Sequence, residues 1–322
     1  MFVICVQTRK INMLNIMKGT INLVKQMRTG TRLLLLTFVI VAAIVLLGAR
    51  NSDTKITKVT SQLTSRSVRG IKQQYQQSKT ATIFLHGYNG GAYSTNYLIH
   101  KAEQTGAAQK ALVVHVYKNG VMAFKGYWQR SIKNPMVQVV FQDNHASQKA
   151  QIYWLHQVLV QLKAKYGVTG YNAVGHSLGA NDIINQALKY GHDKRLPTLH
   201  KVVTIAGPFD GLTGFLNTQT EAQARQLAIK PTRFTKHFAT MLKYRKNFPQ
   251  HVKLLNVYGD TNTGYNNDGF VGVASARAVR YLLRGKLTQY REAFYSGADA
   301  AHCALNQNPN VAQRMIRFLW SA

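Results

Sequence analysis

From about residue 80 to the C terminus, short apolar runs alternate with stretches of helical period. Residues 81–85, 111–117, 121–125, 137–141, 171–174, 201–206, 252–258 and 291–295 are brief, apolar and bounded by turn residues, and they predict strands. Asn119-Gly120, between the second and third runs, is a strong hairpin signal because both residues tolerate positive φ. Within residues 147–165, Ile152, Leu155, Leu159 and Leu162 recur at helical spacing and stop before Gly167. Ser94 and Thr95 offer caps for a helix to about Gln104, and residues 180–189, 275–283 and 311–319 complete the helical set. Strands alternating with helices predict an α/β architecture, a mostly parallel sheet covered on both faces. Residues 212–250 interrupt the pattern: they are polar, basic and broken by Pro231 and Pro249. A substrate-binding cap inserted at about 211–250 is the expectation.

The N-terminal pattern is different. Residues 33–49 form a weakly polar-to-apolar run between Arg32 and Arg50, and every earlier charge is positive (Arg9, Lys10, Lys18, Lys25, Arg28, Arg32). A run of this length predicts a transmembrane anchor or a signal-peptide core, with the basic end held in the cytoplasm and the remainder exported. Leu47-Gly48-Ala49 lacks the small residue expected three before a cleavage point, which favours an uncleaved anchor. The expected organisation is a basic cytoplasmic segment 1–32, the membrane helix 33–49, a polar spacer 50–79 and a catalytic-size domain 80–322.

Composition adds two constraints. One cysteine precedes the apolar run and one follows it, so the exported part must be stable without an internal disulfide. The formal net charge is +30, spread along the chain with no zinc-finger spacing, basic zipper or RNA-binding signature. Nucleic acid is therefore the less favoured partner, and anionic membrane lipids or wall polymers the more favoured one.

The chemistry centres on Gly175-His176-Ser177-Leu178-Gly179, which follows a predicted strand and precedes a predicted helix. This is the pattern of a nucleophile elbow: a sharp turn projects Ser177 alone, and glycines at both ends permit close approach of strand and helix. A serine hydroxyl needs a base within hydrogen-bond reach, and the base needs an orienting carboxylate. The chain order of such a site is Ser, acid, His. His302, between the last predicted strand and the last helix, is the expected base; His192, His200, His237 and His251 read as surface or packing residues. Asp268, followed by Gly269 and Phe270, is the favoured acid, with Asp260 at the preceding strand end as the alternative. The oxyanion would be met by the backbone N–H of Leu178 and that of Tyr88 in His86-Gly87-Tyr88. His176 is read as a packing residue.

The Asp/Asn-rich loop 259–269 lacks the central glycine and terminal glutamate of a calcium loop, and there is no H-E-x-x-H, so neither metal nor cofactor is expected. The reading is a serine hydrolase acting on small-molecule or lipid-like carboxylic esters. An acyltransferase, or a non-catalytic envelope-binding module on the same fold, stands as the alternative.

Ile83-Phe84-Leu85-His86-Gly87-Tyr88-Asn89-Gly90-Gly91, Asn172-Ala173-Val174 with the elbow, Val202–Phe209, Asp268-Gly269-Phe270-Val271 and Ala301-His302-Cys303-Ala304-Leu305 together resemble the α/β-hydrolase family of cell-surface hydrolases in Gram-positive bacteria. The resemblance covers about 80–322. It implies the α/β-hydrolase fold, an export signal or N-terminal anchor, and Ser177, Asp268 and His302 as the triad. Asn181 and Cys303 depart from the residues usual at their positions.

Overall fold

Eight strands among the described residues pair into one sheet. They are β1 (Ala81–Leu85), β2 (Gln109–Val116), β3 (Met122–Gly126), β4 (Pro135–Phe141), β5 (Gly170–His176), β6 (Thr198–Ile205), β7 (Val252–Asp260) and β8 (Leu287–Ser296). Their spatial order is β3-β2-β4-β1-β5-β6-β7-β8. Only the β2–β3 pair is antiparallel, joined through the Asn119-Gly120 turn with Gly120 at φ 81°; every other pairing is parallel. All eight predicted strands are present, most of them a few residues longer than the apolar runs alone suggest, because ladder pairing extends into flanking polar residues.

The computed structural model describes residues 70–212 and 234–321, which belong to one unit, Arg69–Ala322. The predicted segments 1–32 and 33–49, the spacer up to residue 69, and part of the predicted cap, residues 213–233, lie outside the described residues. Among the described residues no helix is long and apolar enough to cross a membrane.

Seven α-helices are described: α1 (Ala92–Thr105), α2 (Gln148–Tyr166), α3 (Leu178–Tyr190), α4 (Lys236–Tyr244), α5 (Val273–Leu282), the single turn α6 (His302–Leu305) and α7 (Pro309–Trp320). Local chemistry sets their ends. Ser147 accepts from the Ala150 N–H to start α2, and Gly167 in the left-handed region closes it. Asn308 accepts from Asn310 and Val311, with Pro309 as the first residue of α7.

Each strand splits its side chains between two layers. Ala81, Ile83 and Leu85 of β1 face a core shared with α2, α3, α4 and α5, whereas Phe84 faces the core of α1 and α7. A strand buried on both faces is what an uninterrupted apolar run encodes, and truncating Phe84 to alanine would cost about 3–5 kcal/mol.

Two boundaries differ from the sequence reading. The spacer expected through residue 79 ends earlier: Lys72 N donates to Gly106 O, Gln76 N to Trp320 O and Ser78 N to Asn134 Oδ1. Ile71 and Tyr75 are isolated apolar positions in an otherwise polar stretch, too few for hydropathy to attach it to the domain. Within the predicted cap, residues 234–250 pack onto the domain, with Phe238, Met241 and Phe248 buried in the α2–α3 layer.

Candidate active site

β5 delivers the chain to Ser177, which stands at φ 56°, ψ −127°, outside the regions that side-chain-bearing residues favour. Such a conformation costs of order 1–3 kcal/mol and persists only where the surroundings over-determine it. Here they do. Ser177 N donates to Ile205 O of β6 at 2.8 Å, and Ser177 O accepts from Ala180 N as α3 begins. A Cβ on Gly175 would lie 2.6 Å from the Ala180 backbone, and one on Gly179 would collide with the His86 carbonyl. Gly87 is pressed against the nucleophile in the same way: its Cβ would lie 2.8 Å from Ser177 Cβ. Three glycines thus let β1, β5 and α3 converge on one hydroxyl.

The structure brings Ser177, His302 and Asp268 together. His302 Nε2 lies 2.8 Å from Ser177 Oγ, and His302 Nδ1 lies 2.8 Å from Asp268 Oδ2. With Nδ1–H donating to the carboxylate, Nε2 is left as acceptor for the serine hydroxyl. Asp268, in the loop after β7, is buried and has its other oxygen fixed by the N–H groups of Phe270 at 3.0 Å and Val271 at 2.7 Å. His302 N also donates to Asp268 O, so the two loops are tied through backbone as well as side chain. Asp260 lies elsewhere: its Oδ1 accepts from Asn262 N and closes the turn at the end of β7.

Two further histidines belong to the site. His176 Nε2–H donates to the His302 carbonyl at 2.9 Å, with the two rings 4.8 Å apart. Burial above all, then the neighbouring His302, pushes the His176 pKa down to about 3, so it is a neutral donor. The sequence reading gave it packing alone; its position beside the nucleophile was the available signal, but the partner is 126 residues away. His86 is also buried, which lowers its pKa against the raising effect of the Gly87 carbonyl. Its Nε2 accepts from Phe141 N at 3.0 Å, and its Nδ1–H donates to Gly87 O at 2.8 Å. Gly90 N reaches the same carbonyl at 3.1 Å. A trans peptide sets N–H opposite C=O, so these two donors turn the Tyr88 N–H away from themselves. Neither that N–H nor the Leu178 N–H, first in α3, has an acceptor among the described residues. The exposed ring of Tyr88 meets His145 edge-on at 4.9 Å, and the half-exposed Phe270 ring lies 5.2 Å from His302.

The remaining candidate histidines stand apart from Ser177. His237 faces Asn181 Oδ1 at 3.2 Å, His200 lies within the first half of β6, His251 immediately precedes β7, and His192 follows α3.

Comparison with known proteins follows the same lines. A family model described as an α/β hydrolase of unknown function matches residues 69–322. Among solved structures, a gene product of Listeria innocua is 27% identical with a TM-score of 0.69, covering 75% of this chain and 94% of its own. A Lactobacillus plantarum protein provisionally called a cell surface hydrolase is 20% identical with a TM-score of 0.61, covering 74% of this chain and 91% of its own. None of the curated proteins matches.

Proposed function

The chain belongs to the family of α/β hydrolases of unknown function, and from that premise we propose that it is a serine esterase working at the cell surface. One observation carries the reading: the unbroken line of hydrogen bonds from Ser177 Oγ through His302 to Asp268. Ser177 Oγ attacks the ester carbonyl carbon while His302 Nε2 takes its proton, and Asp268 stabilises the imidazolium. The carbonyl oxygen becomes an oxyanion facing the N–H groups of Leu178 and Tyr88. The C–O bond to the alcohol breaks, the alkoxide leaves with the proton from His302, and an acyl-Ser177 ester remains. Water, deprotonated by His302, repeats the sequence and releases the carboxylic acid. Esters are favoured over amides because an alkoxide is the better leaving group.

The cell-surface part of the reading rests on the sequence: an apolar run at 33–49 behind an all-positive segment. The excess of Lys and Arg that continues through the exported part would hold it against anionic lipids or wall polymers. A fluorophosphonate probe tests the chemistry. Labelling located at Ser177 by mass spectrometry, and lost in Ser177→Ala, is the expected result. Absence of labelling in folded protein would replace the esterase with a non-catalytic binding module.

A further inference from the structure

The oxyanion contact proposed above depends on a segment that cannot stiffen itself. Tyr88 is followed by Asn89, at φ 54°, and then by Gly90 and Gly91. Glycine at 90 is a steric requirement: a Cβ there would lie 2.8 Å from Gly87 O and 3.0 Å from His86 Nδ1. The same glycine carries more backbone freedom than any other residue would. A left-handed conformation in a side-chain-bearing residue such as Asn89 persists only where the surroundings hold it. Rigidity therefore has to be supplied from outside residues 87–91.

The turn between β4 and α2 supplies it. Residues 143–146 form a turn in which Ala146 N donates to Asp143 O at 3.2 Å. Gln142 N bonds Val116 O at 2.8 Å and Gln151 Nε2 bonds Ala146 O at 3.0 Å, so β2 and α2 fix the turn in place. Half-buried Asn144 then grips the two residues after Tyr88. Its carbonyl accepts from Asn89 N at 3.1 Å, and its Nδ2 donates to Gly90 O at 2.7 Å. The first bond fixes the peptide on the C-terminal side of Tyr88. The second fixes Gly90, whose own N–H holds Gly87 O and so helps to aim the Tyr88 N–H.

We propose that Asn144 is a positioning residue for acyl transfer: its side-chain amide, 54 residues from Gly90 in sequence, holds the Tyr88 N–H on the developing oxyanion. The proposal rests on the esterase reading above. An oxyanion donor acts where charge develops, so the side chain of Asn144 should serve the transition state and leave ground-state binding alone.

Asn144→Ala removes the Nδ2 donor and keeps the backbone bond to Asn89. The full-length parent and this variant are compared on a p-nitrophenyl ester and on an aryl trifluoromethyl ketone. With the ketone, Ser177 Oγ adds to the carbonyl carbon, the serine proton passes to His302 Nε2, and no group leaves, so a tetrahedral oxyanion persists. In the variant kcat is expected to fall about 10- to 30-fold, less than the roughly 10^2- to 10^3-fold loss on removing an oxyanion donor outright. KM should stay within about twofold, and the ketone should lose affinity in step with kcat/KM. Asn144→Asp, which keeps the shape but sets an acceptor against Gly90 O, should lose at least as much. An unchanged kcat, a change confined to KM, or ketone binding as tight as the parent's would each overturn the positioning role. Full activity in Asn144→Asp would overturn it too, whether or not the alanine variant folds. A folded parent inert to both the fluorophosphonate probe and the ester would instead remove the esterase reading, and this proposal with it.

Discussion

Two carboxyls of this domain are equally removed from water and live in opposite surroundings. Asp268, in the loop after β7, is met by three donors: the Phe270 and Val271 N–H groups and His302 Nδ1–H. Asp182, in the middle of α3, has neither oxygen within hydrogen-bond geometry of any group, although the Gln148 carboxamide lies alongside. Burial lifts its pKa well above the ordinary 3.8, against the weaker lowering effect of Gln148. The contrast comes from backbone accounting. In a loop, N–H groups are free to turn toward a carboxylate; within a helix every interior N–H is committed to the carbonyl four residues back. A carboxyl on a buried helix face depends wholly on side chains, and in the packed pair α2 and α3 those are themselves short of partners. Gln148 Nε2, Gln151 Oε1 and Gln186 Nε2 are all unmatched.

The largest test of this contrast is Asp268→Asn. Asparagine can still accept from Phe270 and Val271, so the loop holds, but it favours the wrong imidazole tautomer. A loss of about 10^4 in kcat/KM toward a p-nitrophenyl ester is expected. Asp260→Asn, which disturbs only a turn, should stay within about twofold on the same assay. The reverse ranking would transfer the orienting role to Asp260.

A smaller effect is expected at His176. Replacing it by phenylalanine strands the His302 carbonyl and loosens the loop that carries the base, for a fall of about 10- to 100-fold in kcat. Glutamine, which can donate to that carbonyl, should recover part of it. Because the His176 pKa is near 3, it is neutral throughout the working range, and the acidic limb of the pH–rate profile should not move in either variant. A displaced limb would mean that His176 takes part in the titration that controls the rate.

How far the sequence anticipates this difference is itself uneven. The elbow, with Ser177 between Gly175 and Gly179, is local: strand, turn and helix are adjacent in sequence, and the glycines report a steric requirement that any reader of the chain can state. The choice between Asp260 and Asp268 was less accessible, because one ends β7 and the other lies in the loop that follows it, and only the folded path decides which one meets His302. His176 and His86 act through backbone carbonyls set by the fold, and neither residue type carries that information. Asp182 was invisible for a further reason. Asn181, Asp182, Asn185 and Gln186 read as the solvent face of an amphipathic helix, yet α3 is enclosed by the sheet, α2 and α4, so nearly every face is buried. The beginning of the domain at residues 70–79 was hidden because it is attached by hydrogen bonds of its backbone, to other backbone groups and to the Asn134 side chain, and by the packing of the Tyr75 ring, none of which leaves an apolar period in the sequence.

The smallest effect on activity, and the sharpest on stability, is expected for Asp182→Asn. Asparagine keeps the shape of the protonated carboxyl and cannot ionise. Asp182 has a higher pKa folded than unfolded, so below about pH 4 the group is protonated in both states and costs nothing. As pH rises past that point the unfolded chain releases the proton while the folded one retains it, and stability falls with each further unit until the folded pKa is reached. The buried His176 works the other way, its contribution being present above the ordinary 6.5 and lost as pH falls toward 3. That slope is common to parent and variant and cancels in the difference between them. Urea unfolding of both proteins from pH 4 to 8 should therefore show Asp182→Asn gaining on the parent as pH rises, with esterase activity unchanged within about twofold. A difference that stays constant across the range would mean that Asp182 is matched by a donor after all, and the distinction between the loop carboxyl and the helix carboxyl would fail.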